Sequence, residues 1–442
     1  MKNLLKKIIP NFIFSLYHWK MAFLGALFYG FPSRKLIVIG VTGTKGKTTT
    51  CNLIAQILQG AELKTGMATT VNFRIGEKEW INEYKQTMLG RFKLQKLLRR
   101  MVNEGCKYAV IETSSEGILQ HRHRFIDYSI AVFTNLSPEH IERHGSFENY
   151  REAKLELFKK VARKKNGIGI YNLDDENAEY FLQAPIKNKI GYSINLKFKV
   201  QSSKSQSKIQ NFIISDIELS PNGTSFSLME TKFEMPLIGE FNVANAAAAI
   251  CVAQSQGIEM KKIKEILRSV KPAPGRLEII NEGQPFTVIV DYAHEPASLE
   301  AVYKTLKIFN LHTSRGEGAG PRKIIAVLGA QGGGRDKSKR AILGDLAGRY
   351  VDYIVITNED PYDDEPKQII DDVAAGVRNK EVIKILDRRE AIRKALGLAQ
   401  AGDMVIITGK GGEVWMCVEN NKKVPWIESE IVREELLKII KK

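Results

Sequence analysis

Short apolar runs rich in Val and Ile recur along the chain, separated by segments with helical periodicity. LIVIGVTG (36–43), YAVIET (108–113), SIAVFTNL (129–136) and GIGIYNLDD (167–175) read as buried strands, with helices over Phe92–Glu104 and Tyr150–Lys164 between them. Strand alternating with helix predicts a parallel α/β sheet. The polar Lys/Ser tract and alternating residues of 195–216 break this pattern and read as an antiparallel appendage at the sheet edge. GEFNVANAAAAICVAQSQG (239–257) returns to helix, an alanine-rich run closed by glycine. KPAPGR (271–276) carries two prolines and reads as a linker. Beyond it FTVIVDYA, KIIAVLGA, YIVITNED, VIKILD and MVIITGKG start a second α/β series, with HTSRGEGAG (312–320) as a surface loop. The expected organisation is an apolar basic segment (1–35), a first α/β domain (36–271) and a second (272–442).

At 442 residues, 43% hydrophobic and 26% charged, the chain is long enough to bury two or three cores. Its four cysteines (Cys51, Cys106, Cys251, Cys417) form no CxxC pair. That excludes a disulfide framework or zinc knuckle and fits a cytoplasmic protein. The net charge of +16 comes from scattered Lys and Arg, without a basic helix interleaved with aromatics. Nucleic acid is therefore not the expected partner, and anionic substrates account for the balance better. The segment IIPNFIFSLYHWKMAFLGALFYGF (8–31) is apolar, flanked by basic residues, and no acid precedes Glu62. His18 and Lys20 interrupt it, leaving runs shorter than the roughly 20 residues a spanning helix needs. Two readings stay open: a helix packed on the first domain, or a peripheral membrane contact through residues 8–31.

VTGTKGKTTT (41–50) follows the first strand directly. Gly43 and Gly46 let backbone N–H groups turn inward around an anion. Lys47 would reach the outer phosphates of a nucleotide, and Thr48 would offer its hydroxyl to magnesium. The helix expected over Lys47–Gln59 would aim its positive end there. Val41 stands where the strict phosphate-loop pattern has glycine. Glu112, ending a strand, reads as a metal ligand or a capping acid. His140 lies just past another strand end and Lys154 sits in a helix beyond it. Taken singly, that histidine reads as structural and that lysine as solvated.

Together these stretches resemble the Mur ligase family, most closely its MurE type, from about residue 36 to the C-terminus. The resemblance rests on GVTGTKGKTTT, ETSSEGILQHR, FTNLSPEHIERHG, YREAKLELF, GEFNVANAAAA, PGRLEI, VDYAHEP, GGGRDKSKR, TNEDP and ITGKGGE, in the family's order. It implies a phosphate-loop central domain with a parallel sheet, followed by a C-terminal Rossmann-like α/β domain. It also implies an ATP-dependent amide ligase of peptidoglycan precursor synthesis. An acceptor carboxylate would take the γ-phosphoryl group, and the amine of an amino acid would displace phosphate. Closure of one domain over the other would exclude water.

The resemblance implies ATP and magnesium contacts for Thr44, Gly46, Lys47, Thr48 and Thr49. Glu112 and His140 would be further metal ligands, and Lys154 a carbamylated ligand of a second magnesium. Asn242 and Asn245 would lie around adenine, and Arg276 and Asp291 would contact ATP from the C-terminal domain. Thr87, Ser114, Gln120 and Arg122 fall where the family holds a UDP-muramoyl-peptide acceptor. Arg335, Gly409 and Glu413 fall where the incoming amino acid is positioned. Lys47, Lys154, His140, Arg276 and Asp291 form the implied catalytic set.

Four departures qualify this picture. Lys45 replaces an asparagine of the family's loop, and Gly412 stands at a common histidine position. NEDPYDDEP replaces the D-N-P-R run that engages diaminopimelate, with Tyr362 at the arginine position. Its acids Glu359, Asp360, Asp363 and Asp364 suit a cationic side chain or face solvent, with Asp360 the candidate contact. The 35 residues at the front are too few for the family's uridine-binding domain. A polyglutamate, cyanophycin-like or lipid-linked muramoyl acceptor is the alternative. A nucleotide switch, from another functional class, would need neither Lys154 nor Arg335.

Overall fold

In a computed structural model, residues 11–84, 86–138, 144–194, 209–311 and 322–441 are described. The polar tract 195–208 and the loop 312–320 lie outside them. The chain divides into two compact units. The first comprises Met1–Glu218, Gly223–Pro236 and Glu240–Lys271; the second comprises Leu219–Asn222, Leu237–Gly239 and Pro272–Lys442.

The first unit is built on β1 (Ile37–Thr42), β2 (Thr65–Ala68), β3 (Asn72–Ile75), β4 (Lys78–Ile81), β5 (Tyr108–Glu112), β6 (Tyr128–Phe133), β7 (Ile168–Asn172), β8 (Asn188–Ser193), β9 (Ile209–Ser220), β10 (Gly223–Leu228) and β11 (Thr231–Met235). These form one 11-stranded sheet, ordered β11-β10-β9-β8-β7-β6-β1-β5-β2-β3-β4. β1 runs parallel to both β5 and β6, pairing Val41 with Glu112 and Thr42 with Phe133. Val38, Ile39 and Val41 are fully buried, as expected of a strand covered on both faces. The chain leaves β1 towards β2 on one side and β5 towards β6 on the other. Such a reversal opens a crevice at the carboxyl ends of the strands.

Helices Lys47–Gly60 and Glu240–Ser255 pack against each other over this sheet. Ala246, Ala247, Ala248 and Ala249 are wholly buried, so small side chains allow the close approach that the alanine run foreshadowed. The helix Asn11–Phe28 rests on Arg91–Asn103 through Ala22 and Ala26, which are buried. Arg99 donates to the carbonyls of Tyr29 (2.8 Å) and Gly30 (3.0 Å), satisfying groups at the helix end. Among the described residues no helix is long and apolar enough to cross a membrane.

One expectation is corrected in part. The antiparallel edge is present, since β10 neighbours β9 across a two-residue turn and pairs antiparallel with β11, but β9 also pairs parallel with β8 and so joins this edge to the main sheet. The strands β2, β3, β4 and β8 were not expected from the sequence, being too short or too mixed in polarity to stand out.

The second unit contains β12 (Glu278–Ile280), β13 (Thr287–Asp291), β14 (Ile324–Leu328), β15 (Tyr353–Ile356), β16 (Val382–Lys384) and β17 (Met404–Thr408). Their order is β12-β13-β17-β14-β15-β16, parallel except for β12 against β13. One core face carries Leu306, Leu346 and Val373; the other carries Ile392, Val432 and Leu436. β18 (Trp415–Val418) and β19 (Lys422–Pro425) form a separate antiparallel pair.

Candidate active site

In the first unit the chain turns at Gly43 (φ +149°) and Gly46 (φ +79°) between β1 and the helix Lys47–Gly60. Both positions forbid a side chain. A Cβ on Gly43 would lie 2.0 Å from Thr134 Oγ1, and one on Gly46 would lie 2.3 Å from Asn245 Oδ1. The loop is pinned from outside: Thr44 N–H donates to the Asn135 carbonyl (2.8 Å), and Lys45 N–H donates to Asn135 Oδ1 (2.8 Å). Thr44 Oγ1 lies 3.0 Å from the Tyr150 hydroxyl. Thr49 is half-buried on the helix's first turn.

Lys47 folds across this loop, its Nζ donating to the Thr44 carbonyl at 2.6 Å. Lys154, 2% exposed, reaches the same loop from the helix Phe147–Ala162 and donates to the Gly43 carbonyl at 2.6 Å. Its Nζ also sits 4.4 Å from the centre of the Tyr150 ring. Two of the lysines implied to be functional therefore converge on one turn of backbone.

Glu112 joins this arrangement from β5. Thr48 donates its hydroxyl to Glu112 Oε2 (2.9 Å), and Thr70 donates through both N–H (2.8 Å) and hydroxyl (2.9 Å). With its proton directed to Glu112, Thr70 Oγ1 accepts from the Thr87 hydroxyl at 3.0 Å. The Thr48 hydroxyl and Glu112 carboxylate are hard oxygen donors and suit a divalent cation such as magnesium. The glycine-lined turn at the helix N-terminus suits phosphate. The residues present thus fit ATP and magnesium. Thr70 was missed in the sequence, because nothing local in ATTVNF distinguishes it from a strand threonine. Among the described residues no group of three or more His, Cys, Asp and Glu could hold a metal.

His140 lies outside the described residues. The same HIERHG run supplies His144, whose Nε2 is 3.1 Å from Ser115 Oγ and whose ring meets Tyr150 edge-on. Asn242 and Asn245 are buried on the alanine-rich helix; Asn245 Nδ2 donates to Asn242 Oδ1 (3.0 Å) and Thr50 donates to Asn245 Oδ1 (3.2 Å). Ser114 caps the short helix Ser115–Leu119 by accepting from Gly117 N–H (3.1 Å). Gln120 Oε1 accepts from Arg122 (2.6 Å), while the Gln120 carbonyl accepts from Arg91.

In the second unit Asp291 ends β13 and accepts from the N–H groups of Leu277 (2.8 Å) and Ala293 (2.7 Å). Burial raises its carboxyl above the ordinary range, against the opposing pull of Arg276 and those two N–H groups. The Arg276 guanidinium stacks 4.2 Å from the Tyr292 ring centre. Arg335 is exposed on the loop after β14.

The acidic run after β15 divides: one acid faces solvent and the others are taken up inside the unit. Asp360 is 1% exposed and accepts from Lys410 Nζ (2.8 Å) and Cys417 N–H (2.7 Å). Lys410, fully buried, also donates to Glu413 Oε2 (2.5 Å) and the Trp415 carbonyl (2.8 Å). Asp363 accepts from Asn420 N–H and Asp364 pairs with Arg340 (3.1 Å). Three of the four acids are thus held by their own unit. Asp360 is satisfied by a buried cation and an N–H group and Asp364 by Arg340, whereas Asp363 is exposed and faces solvent while accepting from a loop N–H.

Glu359 differs: it is 1% exposed and neither carboxylate oxygen has a hydrogen-bond partner. Its pKa is pushed up to about 7, chiefly by burial, with Arg388 and Lys410 pulling the other way. Gly409 (φ +109°) makes room for it, since a Cβ there would lie 2.1 Å from Glu359 Oε2. Arg388 is itself committed to Glu428 and to the carbonyls of Thr408 (2.7 Å) and Asn358 (3.2 Å).

The sequence matches the Mur ligase middle domain over residues 41–253 and the "Mur ligase, glutamate ligase domain" over 275–411. A UDP-N-acetylmuramoyl-L-alanyl-D-glutamate–2,6-diaminopimelate ligase of Geobacillus thermodenitrificans is 37% identical over 410 residues, covering 90% of this chain and 78% of the relative. A UDP-N-acetylmuramyl-tripeptide synthetase of Borreliella burgdorferi is 36% identical over 427 residues, covering 94% and 79%. A solved diaminopimelate ligase structure superposes with a TM-score of 0.62 at 30% identity, covering 92% and 79%. A folylpolyglutamate synthase from Mycobacterium tuberculosis shares the fold at a TM-score of 0.64 and 16% identity, covering 96% and 94%. With a phosphate loop, an adjoining hydroxyl–carboxylate pair and these relatives in agreement, the chain belongs to the Mur ligase family of ATP-dependent, ADP-forming amide ligases.

Proposed function

We propose that the protein joins a free amino acid to the carboxylate of a UDP-muramoyl-peptide-like acceptor at the expense of ATP. The observation that carries this reading is the convergence of Lys47, Lys154 and the Thr48–Glu112 pair on the turn 43–48. The acceptor carboxylate attacks the γ-phosphorus and ADP leaves; the amine then displaces phosphate from the acyl phosphate, losing a proton as the amide forms. Magnesium, when bound, supplies positive charge to the transferring phosphoryl group.

Lys47 has only to exchange the Thr44 carbonyl for a phosphate oxygen to act at the outer phosphates. The loop N–H groups of Gly46 and Thr49 cradle the phosphate chain, Thr44 holds the loop in place through its bond to Asn135, and Asn242 and Asn245 border the adenine. Thr48 and Glu112 hold one ion, with His140 as a further ligand. We assign Lys154 as the site of a carbamate. Carbon dioxide adds to the neutral amine, a proton leaves, and the cation becomes an anion able to hold a second ion. In the second unit, Arg276 and Asp291 serve the nucleotide, Asp291 by fixing the turn that carries Arg276.

Thr87, Ser114, Gln120 and Arg122 address the acceptor; Arg335, Gly409 and Glu413 address the amino acid. Asp360 shapes that second site through Lys410 rather than by touching the amine. A second partner is a membrane surface met through residues 8–31, a reading supported by the large apolar side chains exposed between Ile13 and Phe28.

The test is direct. The protein is incubated with ATP, magnesium, the UDP-muramoyl dipeptide and an amino-acid mixture, and the products are weighed. One product heavier than the acceptor by an amino acid less water supports the reading. ATP consumed with no such product, whichever amine is offered, overturns the acceptor assignment.

A further inference from the structure

The helix Asn11–Phe28 is apolar on the side that packs and apolar on the side that does not. Its inner face presents Ala22, Gly25 and Ala26 to the helix Arg91–Asn103. Its outer face repeats at helical spacing: Ile13, Leu16, Tyr17, Leu24, Leu27 and Phe28, between 44% and 75% exposed, with Lys20 among them. An ordinary surface helix places polar residues there. At 1.5 Å per residue the 18-residue helix spans about 27 Å, so the stripe is a continuous apolar strip rather than scattered single residues.

The helix is also firmly held. Ser15 Oγ lies 2.7 Å from His121 Nε2, the Trp19 and Phe125 rings pack 5.3 Å apart, and Arg99 fixes the far end. A loosely attached helix could roll its apolar face inward; this one cannot without breaking those contacts.

Charge identifies the occupant. The helix, the following turn Pro32–Lys35 and the helix Arg91–Asn103 carry eight Lys and Arg and no Asp or Glu. A second copy of the chain docked face to face would set these cations against their own equivalents. A bilayer offers hydrocarbon to the stripe and anionic headgroups to the cations together. Tyr17 and Trp19, at 54% and 40% exposure, are side chains suited to the boundary between the two.

We infer that this face lies in the surface of an anionic membrane, with the helix parallel to the bilayer plane. The inference goes beyond the ligase reading and depends only on the first unit. It is tested without substrates, so its failure would leave the ligase reading standing.

The full chain is sedimented with vesicles of phosphatidylcholine alone and with about 30% phosphatidylglycerol added. Binding at least about tenfold tighter to the anionic vesicles is expected, weakening as salt is raised. The pair Leu16→Asp and Leu27→Asp should reduce it about tenfold or more while the urea midpoint stays at the parent value. Should that variant fold poorly, the parent chain still decides the matter: brominated lipid should quench Trp19 emission, and Trp19→Phe should remove that quenching. Equal affinity for both vesicle types, or no quenching, overturns the inference. So does a dimer in light scattering that the two aspartates dissociate.

Discussion

Replacing Glu359 by glutamine separates the charge of a buried carboxyl from its shape. In the native fold this group has a pKa of about 7 against an ordinary 4.5, because burial disfavours its ionised form. Its folded-state pKa is raised, so the folded protein holds the proton more tightly than the unfolded chain. The carboxyl therefore costs nothing in acid, and its penalty grows as pH rises from about 4.5 to 7. The full penalty is (7 − 4.5) × 1.36, or about 3 kcal/mol. Most of it develops between pH 5 and 8. Glutamine cannot ionise, and whatever its amide loses for want of a partner is the same at both pH values. Urea denaturation of parent and Glu359→Gln at pH 5 and pH 8 should show the parent losing about 2 to 3 kcal/mol more between them than the variant. Equal pH dependence in the two proteins would mean the carboxyl is solvated or paired, and the burial argument would fail.

Lys410→Met should be among the most destabilising changes in the second unit, at about 3 to 5 kcal/mol, because it strands the Asp360 and Glu413 carboxylates. Adding Asp360→Asn should recover part of that loss in the same denaturation assay. Lys154→Ala should abolish amide formation while leaving nucleotide affinity within about threefold, with partial recovery in millimolar acetate or formate; full activity would remove the carbamate assignment. Tyr362→Arg should shift competition between amines towards one with a distal carboxylate by about tenfold, read by product mass, and an unchanged preference would show that this position does not face the side chain.

How much of this was legible in the sequence follows from where the information is local. The phosphate loop was readable because its glycines, lysine and threonine sit within eight residues and their backbone requirements are strict. β1, β5, β6 and β7 were readable because a strand covered on both faces is apolar throughout. The antiparallel edge formed with β10 and β11 was readable, but the parallel pairing of β9 with β8 was not, because a strand with alternating polarity looks the same whichever way its neighbour runs. The Lys410–Asp360–Glu413 cluster could not be foreseen, since Asp360 lies 50 residues before Lys410 along the chain and meets it only across the ends of β15 and β17. Glu359 was noticed as one acid in a row; that it alone lacks a partner depends on where Arg388 and Lys410 spend their hydrogen bonds.

The pairing of Arg388 with Glu428 has a consequence for the chain's last helix, Glu428–Ile440. Glu428 has no exposed surface and opens that helix, while its partner's other bonds end on the carbonyls of Asn358, just after β15, and Thr408, the last residue of β17. Clipping the polypeptide ahead of this glutamate would do more than shorten a tail. It would leave a guanidinium without its anion directly beneath the segment assigned to the amine, so that specificity and C-terminal integrity should be lost together.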